Sequence, residues 1–81
     1  MEILKFYSTT CGPCKMLAPV VKTVSEENGV QVTDINIEDQ FEIAEQYGVM
    51  KVPTLVFLKD GKEVDRVIGF INKENLTNKL I

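Results

Sequence analysis

The chain has 81 residues, 44% of them apolar and 26% charged, a composition that predicts one small globular domain and excludes a disordered segment. Its net charge of −3 and its nine scattered Lys and Arg residues argue against nucleic-acid binding, which calls for a basic face. No apolar run reaches the roughly 18 residues that cross a bilayer, and residues 1–7 lack the features of a secretion signal, so we expect a cytoplasmic monomer without membrane contact.

The first half of the chain predicts two strands and two helices. A strand over residues 2–7 leads through a polar loop into apolar residues at helical spacing, and Pro13 suits the first turn of this helix. Pro19 is expected to kink the helix and Gly29 to end it. A second strand is predicted over residues 30–37, and a short helix capped by Glu38 or Asp39 follows. The apolar residues of the two helices are Met16, Leu17, Val20, Val21 and Val24 in the first and Phe41, Ile43, Ala44 and Tyr47 in the second.

The second half predicts a hairpin and a last helix. The apolar run over residues 54–58 is typical of a strand covered on both faces, and Asp60-Gly61 predicts a tight turn into a fourth strand over residues 62–68. Asn72 or Asn75 can begin a helix that carries Leu76, Leu80 and Ile81. The order β-α-β-α-β-β-α predicts an α/β fold with a four-stranded mixed sheet and helices on both faces. Its first two strands are expected to be parallel and its last two antiparallel.

The motif Cys11-Gly12-Pro13-Cys14 stands where the first strand ends and the first helix begins. The unpaired N–H groups and the positive dipole at a helix start favour a thiolate at Cys11. Cys14 lies one turn inside, within reach of Cys11 and shielded by the chain. This arrangement predicts that Cys11 attacks a substrate disulfide and that Cys14 resolves the mixed disulfide. Gly12 would keep the approach open, and Pro13 would stiffen the ring.

Two other uses of the cysteine pair are open at this point. The pair supplies two of the four ligands of a structural zinc site, but the chain has no further Cys and no His, so only a site bridging two copies would be complete. A binding module with incidental cysteines is the second use, and two thiols at a helix start argue against it.

Four segments carry a resemblance to the thioredoxin family. Residues 11–19, CGPCKMLAP, resemble the family's active site and the kinked helix behind it. Residues 47–55, YGVMKVPTL, resemble its second signature, which ends in a cis-proline. Residues 57–61 and Ile68-Gly69 match its hairpin and its last groove loop. The resemblance covers nearly the whole chain, although thioredoxins usually have a further strand and helix at the N-terminus.

The resemblance implies a thiol–disulfide oxidoreductase with a minimal thioredoxin fold, which uses no metal and no cofactor besides its own disulfide. Its implied partners are a thioredoxin reductase or an equivalent reductase and proteins that carry disulfides. The alternative is a glutaredoxin-like reductase that uses glutathione, which the small size fits. Gly-Pro between the cysteines and the lack of a Gly-Gly pair near the last helix favour the thioredoxin type.

The resemblance also implies a groove that binds substrate proteins, or clients, and this surface is the client groove. Pro53 is expected to be cis and close to the sulfurs, with an ordinary trans turn as the alternative. The backbone of Val52 would pair with a client strand. The other groove residues implied are Thr10, Ile37, Lys51, Gly69 and Phe70. Ile37 and Phe70 could equally belong to the core, and Lys51 could be a surface residue.

The sequence departs from the family pattern in three respects. Thr10 and Tyr7 stand where the family usually has Trp. The family has an Asp on the first strand and a Lys on the next one, whereas this chain has Lys5 and Asp34, so the two charges are exchanged. We hypothesise that Lys5 and Asp34 form the pair in reverse and that Asp34 takes the proton from Cys14 through a water molecule. A partly buried Lys5 that acts as the base itself is one alternative. The other alternative is that Lys5 points to solvent, since Lys is rarely buried without a partner.

Overall fold

Strands and helices alternate along the chain in the predicted order. The computed structural model describes residues 1–81. The elements are β1 (Glu2–Tyr7), α1 (Gly12–Asn28), β2 (Gln31–Asn36), α2 (Phe41–Gln46), β3 (Thr54–Lys59), β4 (Lys62–Ile68) and α3 (Lys73–Lys79). No helix combines the length and apolar character needed to cross a membrane.

The four strands form one mixed sheet in the order β2-β1-β3-β4. β1 pairs with β2 in parallel and with β3 in antiparallel, and β4 closes the sheet as the antiparallel partner of β3. The parallel β1–β2 pair and the antiparallel β3–β4 pair confirm the two predicted pairings. The register places Lys5 directly opposite Asp34 on the neighbouring strand.

Side chains from the sheet alternate between two apolar clusters. One cluster packs Ile3, Leu55 and Phe57 against α1 and α3, whose fully buried residues include Leu17 and Leu76. On the other face, Leu4, Phe6, Ile35, Val56 and Leu58 pack against Ala44 of α2. Period-two alternation in the central strands produces this division, because successive side chains of a strand point to opposite faces. The prediction of helices on both faces is confirmed.

Helix α1 begins and ends as its sequence predicts. Cys11 is its N-cap residue, Pro13 lies in its first turn, and the N–H of Gly29 donates to the carbonyl of Ser25 at its C-terminus. Gly29 has a φ of 65°, which a residue without a Cβ adopts at little cost. Pro19 lies inside the helix, which continues past it to Asn28.

Several boundaries differ from the predictions. β2 is one residue shorter at each end than residues 30–37. Gln40, without a side-chain hydrogen bond, is the N-cap residue of α2 in place of Glu38 or Asp39. Glu38 does not cap because its carboxylate accepts hydrogen bonds from Thr9 instead. Phe41 is 60% exposed and Ile81 is 97% exposed, so neither belongs to the core.

Candidate active site

The two cysteines form a disulfide at the N-terminus of α1. Cys11 has an extended backbone as N-cap residue, and its Cα lies 5.2 Å from that of Cys14. The backbone N–H of Cys14 donates to Sγ of Cys11 at 3.1 Å. The first turn of the helix contains no acidic residue, so no carboxylate there offsets the partial positive charge of the helix N-terminus. A negative charge on Cys11 would therefore meet a hydrogen-bond donor and a favourable field.

The two sulfur-bearing residues differ in their access to solvent. Cys14 is only 6% exposed and belongs to the core, whereas Cys11 is half-buried. Gly12 and Pro13, between them, are exposed. A substrate sulfur can therefore reach Cys11 from solvent more easily than it can reach Cys14.

The loop before β3 presents a backbone edge. The Val52–Pro53 peptide bond is cis, and Pro53 is buried. The carbonyl of Pro53 accepts a hydrogen bond from the N–H of Gly69 at 2.8 Å. The backbone N–H and C=O of Val52 make no hydrogen bond within the chain, so both are free for another strand. Gly69 has a φ of 94°, in the region that favours glycine.

Thr54, the first residue of β3, holds this loop through a side-chain hydrogen bond. It is the only polar residue among the 17 buried ones, with 1% exposure, and its Oγ1 donates to the carbonyl of Lys51 at 2.6 Å. Lys51 itself is exposed. This hydrogen bond joins the start of β3 to Lys51, the residue before Val52. It also provides the buried hydroxyl with the hydrogen-bond partner that a polar group in the core requires.

Arg66 holds the chain segment that leads into the loop. Its Nη2 donates to the carbonyl of Tyr47 at 2.7 Å, and its Nε lies 2.6 Å from Oε2 of Glu63. The hydrogen bond from Arg66 lowers the pKa of Glu63, and the same contact raises the pKa of Arg66. The contact with Glu63 thus holds the Arg66 guanidinium where it reaches the carbonyl of Tyr47.

Lys5 and Asp34 form the exchanged ion pair. Lys5 Nζ lies 3.1 Å from Asp34 Oδ1, with 14% of the Lys5 side chain and 59% of the Asp34 side chain exposed. Lys5 Nζ also lies 5.8 Å from the centroid of the Tyr7 ring. Both charged residues line a cavity of about 430 Å³ that Cys14 also lines. The alternative in which Lys5 points freely to solvent is therefore wrong.

The residues of the predicted client groove lie at the surface or just below it. Thr10 and Lys51 are exposed, Phe70 is 49% exposed, and Ile37, Val52 and Gly69 are half-buried. Phe70 is thus not a core residue. Ile37 packs partly against the apolar cluster beneath α2, and its N–H donates to the carbonyl of Tyr7 at 3.0 Å.

Glu38 joins the loop before Cys11 to the loop after β2. The N–H and the Oγ1 of Thr9 both donate to Glu38 Oε1, at 2.9 and 2.7 Å. The backbone hydrogen bond from Thr9, followed by that of its hydroxyl, lowers the pKa of Glu38.

The sequence did not predict the roles of Glu38, Thr54 and Arg66 at this site. The partner of Glu38 lies 29 positions away, and no local motif announces such a contact. A lone Thr after Pro53 at the start of an apolar strand was the one available signal for Thr54.

No group of three or more His, Cys, Asp or Glu side chains is arranged to hold a metal ion. A structural zinc ion takes four such ligands, and the cysteine pair would supply two. The geometry of the site is that of a dithiol–disulfide couple beside an open backbone edge.

Comparison with known proteins identifies the family. The thioredoxin family model matches residues 1–81. Thioredoxin of Chlamydia caviae is 48% identical over 77 residues, which cover 94% of this chain and 76% of that protein. Thioredoxin of Staphylococcus aureus is 39% identical, with 99% of this chain and 79% of that protein covered. The structure of a mutant thioredoxin from Halobacterium salinarum superposes with a TM-score of 0.93 at 38% identity, covering 96% of this chain and 69% of that one. The chain belongs to the thioredoxin family of disulfide oxidoreductases.

Proposed function

We propose that this protein reduces disulfides of other proteins by dithiol exchange, with Cys11 as the nucleophile and Cys14 as the resolving residue. The observation that carries the proposal is the unequal placement of the two sulfurs. Cys11 is half-buried at the helix start and accepts the N–H of Cys14, while Cys14 is 6% exposed.

The reaction begins from the reduced dithiol. The Cys11 thiolate attacks one sulfur of the client disulfide, and the other client sulfur leaves as a thiolate. Cys14 then loses its proton and attacks Sγ of Cys11, which releases the second client sulfur. The client gains two electrons and the protein ends with the Cys11–Cys14 disulfide. Gly12 leaves the approach to Cys11 open, and Pro13 limits the movement of the ring.

The client would lie along the loop that contains Pro53. The free N–H and C=O of Val52 suit pairing with an extended client strand, a form of β-strand addition. Thr10 and Ile37 would border the client on one side, and Gly69 and Phe70 on the other. Exposed Lys51 would place a positive charge beside the bound strand.

Lys5 and Asp34 would handle the proton of Cys14. They form an ion pair at 3.1 Å, and they line the same cavity as Cys14, which is large enough for water. Asp34 would accept the proton through a water molecule, while the ion pair with Lys5 holds the Asp34 carboxylate in place. Because 59% of Asp34 is exposed, it can pass the proton on to solvent.

Recharging would come from a dithiol reductase, in a reducing compartment such as the cytoplasm, and the protein would act as a monomer. The rival source of electrons is glutathione. The two are distinguished by supplying either a thioredoxin reductase with its reductant or glutathione alone to the oxidised protein. Faster recovery of the dithiol with glutathione would overturn this part of the proposal.

Trapping the mixed disulfide tests the roles of the two cysteines. Cys14→Ser should accumulate a covalent complex with a protein that contains a disulfide, and added dithiothreitol should release it. Cys11→Ser is the matched control and should form no such complex. A complex that forms through Cys14 in the Cys11→Ser variant, and none in Cys14→Ser, would contradict the assignment.

A further inference from the structure

The loop over residues 8–10 has one attachment to the rest of the chain. The two hydrogen bonds from Thr9 to Oε1 of Glu38, at 2.9 and 2.7 Å, are the only ones that residues 8–10 make. This loop ends at Cys11 and contains Thr10, both at the proposed site. An attached loop loses conformational freedom that an unattached one keeps, at roughly 1–2 kcal/mol per backbone residue.

The Glu38 side of the contact is well anchored. The N–H of Glu38 donates to Oδ1 of Asn36 at 2.9 Å, and the preceding residue, Ile37, donates to the carbonyl of Tyr7 at 3.0 Å. The backbone of residues 36–38 is therefore fixed against the end of β1. From this fixed point a single carboxylate oxygen of Glu38 accepts hydrogen bonds from both donors of Thr9, and these bonds lower the pKa of Glu38.

We propose that Glu38 is a positioning residue that sets the distance between two loops, residues 8–10 and the segment of Ile37, which border the same side of the client groove. It ties Thr9 to the loop of Ile37, and so fixes where Thr10 stands relative to Ile37. Glu38 acts through these residues and takes no part in the sulfur chemistry. The inference rests on the proposed function, because it assigns a specificity role within the same site.

Substrate size separates this role from a catalytic one. A protein client touches both loops, so a mobile loop 8–10 would weaken its binding. A small aromatic disulfide needs only Cys11, whose hydrogen bond from Cys14 does not involve Glu38. Loss of the contact should therefore raise KM for a protein disulfide and leave kcat, and the rate with the small disulfide, close to wild type.

The test compares Glu38→Ala with three other variants. Glu38→Gln keeps an acceptor oxygen, and Thr9→Val removes the hydroxyl but keeps the N–H. Glu27→Ala is the matched control, because Glu27 is an exposed carboxylate paired to Lys73 at 3.1 Å at the far end of α1. The control makes the same change in charge away from the site.

We expect Glu38→Ala to raise KM for reduction of insulin roughly threefold to tenfold, within the range that the loss of one net hydrogen bond gives. Thr9→Val should fall between Glu38→Ala and wild type, and Glu38→Gln should recover most of the loss. Glu27→Ala should match wild type. An unchanged KM in Glu38→Ala, or a Glu38→Gln variant as impaired as Glu38→Ala, would overturn the positioning role.

Hydrogen exchange of the Thr9 amide supplies a readout that does not depend on activity. The amide should exchange faster in Glu38→Ala than in wild type and Glu27→Ala. An unchanged rate overturns the inference. If wild type fails to reduce insulin, the proposed function is wrong, and the exchange result alone then decides whether Glu38 holds the loop.

Discussion

Replacing Thr54 by Val tests whether the loop around Pro53 needs its anchor. Thr54 is 1% exposed, and its Oγ1 donates to the carbonyl of Lys51 at 2.6 Å. Val has nearly the same shape as Thr and suits a β-strand, so the substitution removes the hydrogen bond without opening a cavity. The carbonyl of Lys51 then loses its partner in the chain, and the loop that carries Val52 is freed at one point.

The cost of this change follows from the net worth of one hydrogen bond. Loss of the bond should lower the free energy of unfolding by about 1 kcal/mol, within a range of about 0.5–1.5 kcal/mol. For a domain of this size, that corresponds to a fall in Tm of roughly 4–8 °C. Urea unfolding followed by circular dichroism measures it. Loosening of Val52 should also raise KM for a protein disulfide.

Thr54→Ser is the matched control, because it keeps the hydroxyl and deletes a buried methyl group. That deletion should itself lower the free energy of unfolding by about 0.8 kcal/mol, close to the effect of Thr54→Val. The two variants should therefore be similar in stability and differ in KM. Equal KM values in Thr54→Val, Thr54→Ser and wild type would refute the anchoring role.

The remaining predictions concern the ion pair, the core and acid stability. Lys5→Met should keep the fold, because its partner Asp34 is 59% exposed and stays solvated without Lys5. The variant should slow the attack of Cys14 on the mixed disulfide, which stopped-flow measures between pH 6 and 9. Unchanged kinetics across this range would refute the proton-transfer role of the pair. Leu76→Ala truncates a fully buried side chain and should lower the free energy of unfolding by about 2–5 kcal/mol, measured by urea unfolding. A much smaller decrease would show that the core around residue 76 closes up without leaving a cavity. Hydrogen bonds from Arg66 and Lys79 lower the pKa of Glu63 and of Asp65, respectively. The two carboxylates therefore stabilise the fold at pH values above their ordinary pKa values of 4.5 and 3.8, and this stabilisation is lost as the pH falls through their lower pKa values in the folded protein. Urea titrations at pH 7 and at decreasing pH below 4.5 should show the free energy of unfolding decline, and a constant free energy would contradict the prediction.

The sequence determined the architecture because its local signals agree with the tertiary packing. Alternation and apolar runs defined four strands, Asp60-Gly61 specified the hairpin, and Gly29 marked the end of α1. The cysteine pair was located by its position between a strand and a helix. The pairing of Lys5 with Asp34 could be hypothesised because the two positions match a charged pair of the thioredoxin family, and the register of β1 and β2 places them opposite each other.

The contacts that brace the site were not predictable in the same way. The sequence pattern favours Glu38 or Asp39 as a helix cap, since an acidic residue before an apolar periodic segment often has that role. The Glu38 carboxylate instead met two donors of Thr9, which is distant in sequence and close only after β1 and β2 pair. Phe41 likewise fits a helical apolar pattern, but α2 is only six residues long and buries Ala44 rather than Phe41.

The equilibrium redox potential of the Cys11–Cys14 couple tests the central claim most directly. It is measured by titrating the protein in glutathione and dithiothreitol buffers. Thioredoxin has a known potential of about −270 mV, and membership of its family sets the expectation for this chain. We expect a value at or below the cytosolic glutathione range of about −220 to −260 mV, as a reductant of protein disulfides requires. A clearly more oxidising value, near the roughly −120 mV of a strong thiol oxidant, would contradict the proposed direction of electron flow.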